Sequence, residues 1–266
     1  CVLVASSTSG AFNQWFERIE KILFNSTLII SDNLTMPLSK FDNVVLMGSF
    51  LWSDIFEYAL PKDKYISEFV AIERAILEEK KPAMICIKDI VMENVVKFTN
   101  SIQVPWMFET KYFNDKKEVD KYIKLAFLPD RKNIKKELCR LILDLAKLSN
   151  IIISLPAYMF NELYITPNKR LKIFDYSAKQ FSELDIIVGR PGIGLVTDCL
   201  RSNTYIMPIF ENNNIEMIHN SNIISVNKWG LELGQNLDYD NILFGIDKLL
   251  KTKYNKMEDV KFGGIV

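Results

Sequence analysis

Short runs of β-branched and aliphatic residues alternate along the whole chain with longer stretches in which apolar residues recur three and four positions apart. The short runs read as strands, at residues 2–5, 28–31, 44–47, 83–87, 123–128, 151–154, 171–174, 186–188, 205–209 and 223–226. Most are apolar at every position, so both faces are expected to be covered, as in a parallel sheet flanked by helices. The longer stretches predict amphipathic helices, clearest at 12–24, 68–79, 134–148 and 242–250. Strands and helices in strict alternation predict an α/β fold with largely parallel sheets.

A polar interruption at 111–120, with Asn114, Asp115, Lys116, Lys117 and Glu118 together, precedes a fresh apolar run. It divides the chain into two α/β domains, expected at residues 1–115 and 116–266. In such sheets ligands bind beyond the carboxyl ends of the strands, so the loops that follow strands carry the search for chemistry.

Composition narrows the picture by exclusion. Thirty-three basic residues balance thirty-three acidic ones, which gives no global reason to expect a nucleic-acid partner. Cys1, Cys86, Cys139 and Cys199 are widely spaced, with neither zinc nor redox spacing, and read as reduced structural thiols. No apolar run approaches the ~18 residues that a transmembrane helix needs. A cytoplasmic protein, or one peripheral to a membrane, is expected. The chain starts at Cys1 without a signal-peptide pattern, which fits a truncated or processed start of the first domain.

Two loops stand out. Gly189, Arg190, Pro191, Gly192, Ile193 and Gly194 link a predicted strand to a helix carrying Val196, Cys199 and Leu200 on one face. Glycines at a helix N-terminus let backbone N–H groups approach an anion. A plain turn that needs positive φ would look the same. Asp198, one turn into that helix, is placed to accept both hydrogen bonds of a ribose diol, or simply to be solvated near a helix start. The second loop follows the strand at 205–209 and carries Glu211, Asn212, Asn213, Asn214 and Glu216, offering the donors and acceptors that sugar hydroxyls need.

Residues 184–200, Leu-Asp-Ile-Ile-Val-Gly-Arg-Pro-Gly-Ile-Gly-Leu-Val-Thr-Asp-Cys-Leu, are followed by Met207-Pro208-Ile209 and by Glu216-Met217-Ile218-His219-Asn220. This series resembles the C-terminal domain of the GT-B glycosyltransferases that include the peptidoglycan N-acetylglucosaminyltransferase and the macrolide and plant secondary-metabolite enzymes. The resemblance implies two Rossmann-like domains with parallel sheets facing across a cleft. It implies a hexosyltransferase that moves a sugar, with inversion, from a UDP- or dTDP-linked donor to a sugar, lipid or small-molecule acceptor.

Carried over residue by residue, the resemblance implies that Arg190, Gly192, Ile193 and Gly194 face the donor diphosphate and that Asp198 holds the ribose. Glutamate is usual at the latter place, so the shorter carboxylate is a departure. Tyr176 and Ser177 follow a strand whose loop faces the nucleobase in that family, and Glu216, His219 and Asn220 fall on the sugar side. The family's glycine-rich first loop with a catalytic histidine is not visible, and the single histidine, His219, lies in the donor motif. Asp32, closing a first-domain strand, is the substitute expected as general base. After the second domain's first strand the family's glycine- and serine-rich loop is replaced by Pro129, Asp130, Arg131, Lys132 and Asn133. No His, Cys and carboxylate cluster has metal-ligand spacing, so neither metal nor cofactor is expected beyond the nucleotide sugar itself. A nucleotide-sugar epimerase or hydrolase, or a noncatalytic donor-binding subunit, would fit the same donor motifs.

Overall fold

The computed structural model describes residues 10–107, 122–129, 136–232 and 238–251. Backbone contacts divide the chain into two compact units, Cys1–Pro105 with Asn213–Glu216, and Trp106–Asn212 with Met217–Val266.

The first unit runs α1 (Gly10–Phe24), β1 (Ile29–Asp32), a 3₁₀ turn (Met36–Ser39), β2 (Val44–Met47), α2 (Trp52–Ala59), α3 (Lys64–Lys80), β3 (Ala83–Ile87), α4 (Glu93–Phe98) and β4 (Asn100–Val104). Its strands form a parallel sheet in the order β1-β2-β3-β4. β1 alternates, with Ile29 and Ser31 buried and Ile30 and Asp32 exposed. Leu46 and Met84 on the central strands join Leu51, Leu77 and Phe98 from flanking segments in one core. The long helix α3 is closed at both ends. Asp63 accepts hydrogen bonds from the N–H groups of Tyr65 and Ile66, and Lys81 turns left-handed after the last turn.

The second unit runs β5 (Ile123–Leu128), α5 (Lys136–Leu145), β6 (Ile151–Pro156), α6 (Ala157–Glu162), β7 (Leu171–Phe174), α7 (Ala178–Glu183), β8 (Ile186–Gly189), α8 (Ile193–Ser202), β9 (Tyr205–Pro208), α9 (Ile215–Val226) and α10 (Tyr239–Lys251). The sheet is parallel throughout, in the order β7-β6-β5-β8-β9. The chain therefore builds outward from β5 to β7, then returns to lay β8 on the other side of β5. Such a reversal, here between β5 and β8, marks the place at the carboxyl ends of the strands where doubly wound sheets bind ligands. The entry to β8 is pinned beside β5 by Asp185, whose carboxylate accepts from the N–H of Lys124 at 2.8 Å while its own N–H bonds the Lys124 carbonyl.

Eight of the ten expected strands form within a residue or two of their expected places. The expected strand at 2–5 lies outside the described residues. The strand expected at 223–226 is instead the last turn of α9, where the N–H of Asn227 reaches back to the Ile223 carbonyl. Asn220 and Ser221 are as buried as Met217 and Ile224, so polar and apolar residues share the hidden faces and the helical period is erased from the sequence. β4 went unforeseen because Asn100, Ser101 and Gln103 are poor strand formers, and its pairing with β3 from Ala83↔Asn100 to Ile87↔Val104 decides the matter. The linker expected at 111–120, and with it the cut between 115 and 116, lies outside the described residues, whereas the contacts divide the chain between Pro105 and Trp106. Among the described residues no helix is long and apolar enough to cross a membrane.

Gly230 is fixed by close approach. The Ile206 N–H bonds the Trp229 carbonyl and the Leu231 N–H bonds the Ile206 carbonyl, so a Cβ on Gly230 would lie 1.8 Å from the Ile206 oxygen. Gly230→Ala is expected to cost about 1 to 3 kcal/mol, the usual range for overpacking. A urea midpoint equal to that of the parent would show that the segment moves aside freely.

Candidate functional site

The loop between β8 and α8 sits at the crevice of the second sheet. Gly189 ends β8 in register with Leu128, and a Cβ there would meet Leu195 Cδ2 at 2.9 Å and the Leu128 carbonyl at 3.1 Å, so this glycine serves packing. Gly192 and Gly194 differ. Neither adopts positive φ, and a Cβ on either would have no heavy atom within 4 Å. Backbone conformation does not call for glycine at these two positions, and neither does packing. What they provide is open space above the first turn of α8.

That turn presents amides. Gly192 is the capping residue, with φ −72° and ψ 154°, no side chain caps the helix, and no acidic residue lies in its first turn. The first helix-internal bond runs from the Val196 N–H to the Gly192 carbonyl, which leaves the N–H groups of Ile193, Gly194 and Leu195 directed out of the helix. Oriented amides at the positive end of a helix, with glycines keeping side chains away, make an anion site.

The loop is held from behind by α9. Asn220, fully buried, donates from Nδ2 to the Pro191 carbonyl at 2.8 Å, and Arg190 donates from Nε to Met217 Sδ at 3.2 Å. Asn220 therefore holds the loop between β8 and α8, with its side-chain amide directed at the Pro191 carbonyl. His219 is half-buried on the same helix, and Glu216 lies in its first turn, where its N–H is capped by Asn214 Oδ1 at 3.0 Å. Residues Asn213–Glu216 group with the first unit.

A cavity of about 90 Å³ is lined by Tyr176, by Ala178 and Phe181 of α7, and by Asp198, Arg201 and Ser202 of α8. Two residues singled out in sequence, Tyr176 and Asp198, thus meet on one cavity although twenty-two positions separate them. Burial raises the Asp198 carboxyl above its ordinary pKa, with Arg201 pulling the other way. Tyr176 is presented by a rigid turn. Asp175 Oδ1 accepts from the Ser177 N–H, Gln180 clasps the Asp175 N–H and the Ile173 carbonyl, and Tyr176 itself takes φ 60°. Its ring packs edge-on against Phe174, centroids 5.0 Å apart. Ser177 is occupied in part, its N–H by Asp175 and its hydroxyl oxygen by the N–H of Gln180, where it caps α7.

In the first unit Asp32 ends β1 exposed at the carboxyl edge of its sheet. Arg131 and Lys132 lie outside the described residues. Among the described residues no group of three or more His, Cys, Asp or Glu is placed to hold a metal. The chain does contain one Asp-x-Asp, Asp238-Tyr239-Asp240; there Asp238 caps α10, accepting from the N–H and side-chain amide of Asn241. Sequence reasoning missed Ala178, Phe181, Arg201 and Ser202 as cavity residues. Phe181 and Arg201 carry only the pattern of ordinary helix residues.

No family model matches the chain, and no curated protein matches it in sequence. Solved structures match its fold over nearly its whole length. The spinosyn rhamnosyltransferase SpnG, complexed with spinosyn aglycone, superposes with a TM-score of 0.63 at 11% identity, covering 98% of this chain and 77% of that one. UGT89C1 of Arabidopsis thaliana, complexed with UDP-L-rhamnose, gives 0.60 at 13% identity over 96% of this chain and 73% of that one. The glycosyltransferase VinC, in complex with DTDP, gives 0.59 at 10% identity over 95% and 72%. The chain has the GT-B glycosyltransferase fold.

Asn220→Ala is expected to leave the buried Pro191 carbonyl unsatisfied and to lower unfolding free energy by about 1 to 3 kcal/mol. Asn220→Asp, which sets an acceptor against that carbonyl, should be worse. Equal denaturation midpoints for parent and both variants would mean that the contact does not hold the loop.

Proposed function

We propose that the chain is a glycosyltransferase that transfers a sugar, with inversion and without a metal, from a nucleoside diphosphate donor to a sugar, lipid or small-molecule acceptor. The observation that carries this reading is the pair Gly192 and Gly194, glycines called for by neither φ nor packing, which leave the first-turn amides of α8 open at the crevice of the second sheet. The cavity lined by α7 and α8 supplies an aromatic ring at Tyr176 for a base and a carboxylate at Asp198 for a ribose diol. The fold it shares with enzymes whose structures hold UDP-L-rhamnose or DTDP supports the same assignment.

In this reading negative charge that develops on the departing diphosphate is met by the amides of Ile193, Gly194 and Leu195 and by the helix dipole. Glu216 and His219 face the donor sugar, and Asp32 takes the proton from the acceptor hydroxyl as it attacks the anomeric carbon. A general base contributes about 10²- to 10⁴-fold. A second reading, a noncatalytic donor-binding subunit, is favoured by one observation: the only histidine is His219, and the first unit has none. Asp32→Asn separates the two. It should abolish turnover with donor affinity intact if the chain is the enzyme, and change nothing if it is not.

Calorimetry with UDP, dTDP and GDP and their glucose conjugates tests donor binding. Gly194→Leu should leave the melting temperature nearly unchanged and remove binding; unaltered affinity would take this loop out of the site. Asp198→Ala should weaken nucleotide and nucleotide sugar alike by about 1.5 to 3 kcal/mol, the range for a hydrogen bond to a charged group. Glu216→Ala should weaken only the intact sugar donor. Identical effects of the two on every ligand would sink the ribose and sugar assignments.

The pH dependence follows from the raised pKa of Asp198. The carboxylate form accepts from the diol, so affinity is full above the raised value and falls as pH drops through it, at higher pH than an ordinary aspartate would show. Asp198→Asn should flatten that profile; a parent profile already flat down to the ordinary range would remove Asp198 from the ribose.

A further inference from the structure

The carboxyl edge of the first sheet is tied together by Glu73 and Arg74 on α3. Glu73 is only 2% exposed. Its Oε1 accepts from Thr35 Oγ1 at 3.0 Å, and its Oε2 accepts from the Ser53 N–H at 2.6 Å. Thr35 lies in the loop after β1, three residues beyond Asp32, and Ser53 lies in the first turn of α2, just past the loop after β2. The next residue on each helix extends the network. Asp54, also buried, accepts from Asn94 Nδ2 at 2.6 Å and lies 3.6 Å from Arg74. Asn94 belongs to the first turn of α4, beyond β3, and the Met92 N–H bonds the Ser49 carbonyl. The segments after β1 and β2 thus meet Glu73 directly, and the one after β3 joins them through Asp54.

Burying a carboxylate is costly unless its lone pairs are matched, and an apolar side chain of similar volume would fill the same place at lower cost. A charged group kept in such a position is explained by what it holds. We propose that Glu73 is a positioning residue that fixes the loops after β1 and β2, and through them Asp32, in the geometry that acceptor activation requires. The inference rests on the glycosyltransferase reading for its functional half, while the clamp itself rests on the hydrogen bonds alone. Burial raises the pKa of both Glu73 and Asp54, consistent with a carboxylate retained for its bonds and against its solvation. The charged group that acts on Glu73 is Asp54 on α2, which in turn faces Glu57 on α2 and Arg74 on α3.

Glutamine can keep both bonds, since Oε1 can accept from the Ser53 N–H while Nε2 donates to a rotated Thr35 hydroxyl. Methionine keeps the volume and neither bond. The test uses the full chain with Glu73→Gln, Glu73→Met, and Leu77→Ala as a core-destabilised control. Hydrogen exchange in Glu73→Met should rise about tenfold or more in peptides covering 33–39 and 49–54, with Glu73→Gln close to the parent and the control lacking this selectivity. For UDP-glucose, read as UDP release, kcat should fall about tenfold in Glu73→Met with KM for the donor within about twofold, and Glu73→Gln should restore it. Unchanged exchange in both loops, or loosened loops with kcat intact, overturns the proposal. If the loops loosen but the parent binds neither UDP, dTDP nor GDP in calorimetry, the glycosyltransferase reading falls and the clamp stands.

Discussion

The close approach of β5 and β8 at their carboxyl ends is the constraint on which the second unit depends. Parallel strands need long crossover connections, and when the chain reverses its direction of growth at β5 the two loops at that point must part. Gly189 lets the strands meet at the reversal, with Leu128 on one side and Leu195 on the other. Everything attributed to the anion site follows from that placement, because the next residues in sequence are the loop and the first turn of α8.

The two sheet edges are held by different means. In the second unit a neutral amide, Asn220, and a soft contact, Arg190 to Met217, lie behind the loop, so the loop's own front is left to backbone N–H groups. In the first unit buried carboxylates gather the loops, and Asp54 and Glu73 are enclosed among polar partners in the core. Both arrangements fix backbone with a buried side chain, Asn220 in one and Glu73 with Asp54 in the other, while Arg190 itself is exposed. The difference is that titration reaches the first and not the second.

Much of the fold could be read in the sequence because strands such as Ile186–Gly189 are apolar on both faces and bounded by glycine or charge. The strand-to-helix loop at 189–194 was legible for the same reason, since glycines stand where a strand hands over to a helix. What could not be read was decided by tertiary pairing. β4 exists because β3 offers it a partner, and α9 hides polar Asn220 and Ser221, which removes its helical stripe. Asn220 was expected on the sugar side; its direction could not be known from sequence, and the structure turns its amide toward Pro191. Glu73 left no trace at all. A glutamate in the middle of an amphipathic helix reads as solvated, and only the distant Thr35 and Ser53 give it a purpose.

The absence of acidic residues in the first turn of α8 has a consequence for how an anion would arrive. The chain carries no net charge, and at this turn the attraction comes from amide dipoles, whose influence fades within about a helical turn, joined by the exposed guanidinium of Arg190 in the same loop. Physiological salt screens charge over ~8 Å. The pull on an anion is therefore short in range and weakens as salt is added, and recognition is made over the last few ångströms rather than at a distance.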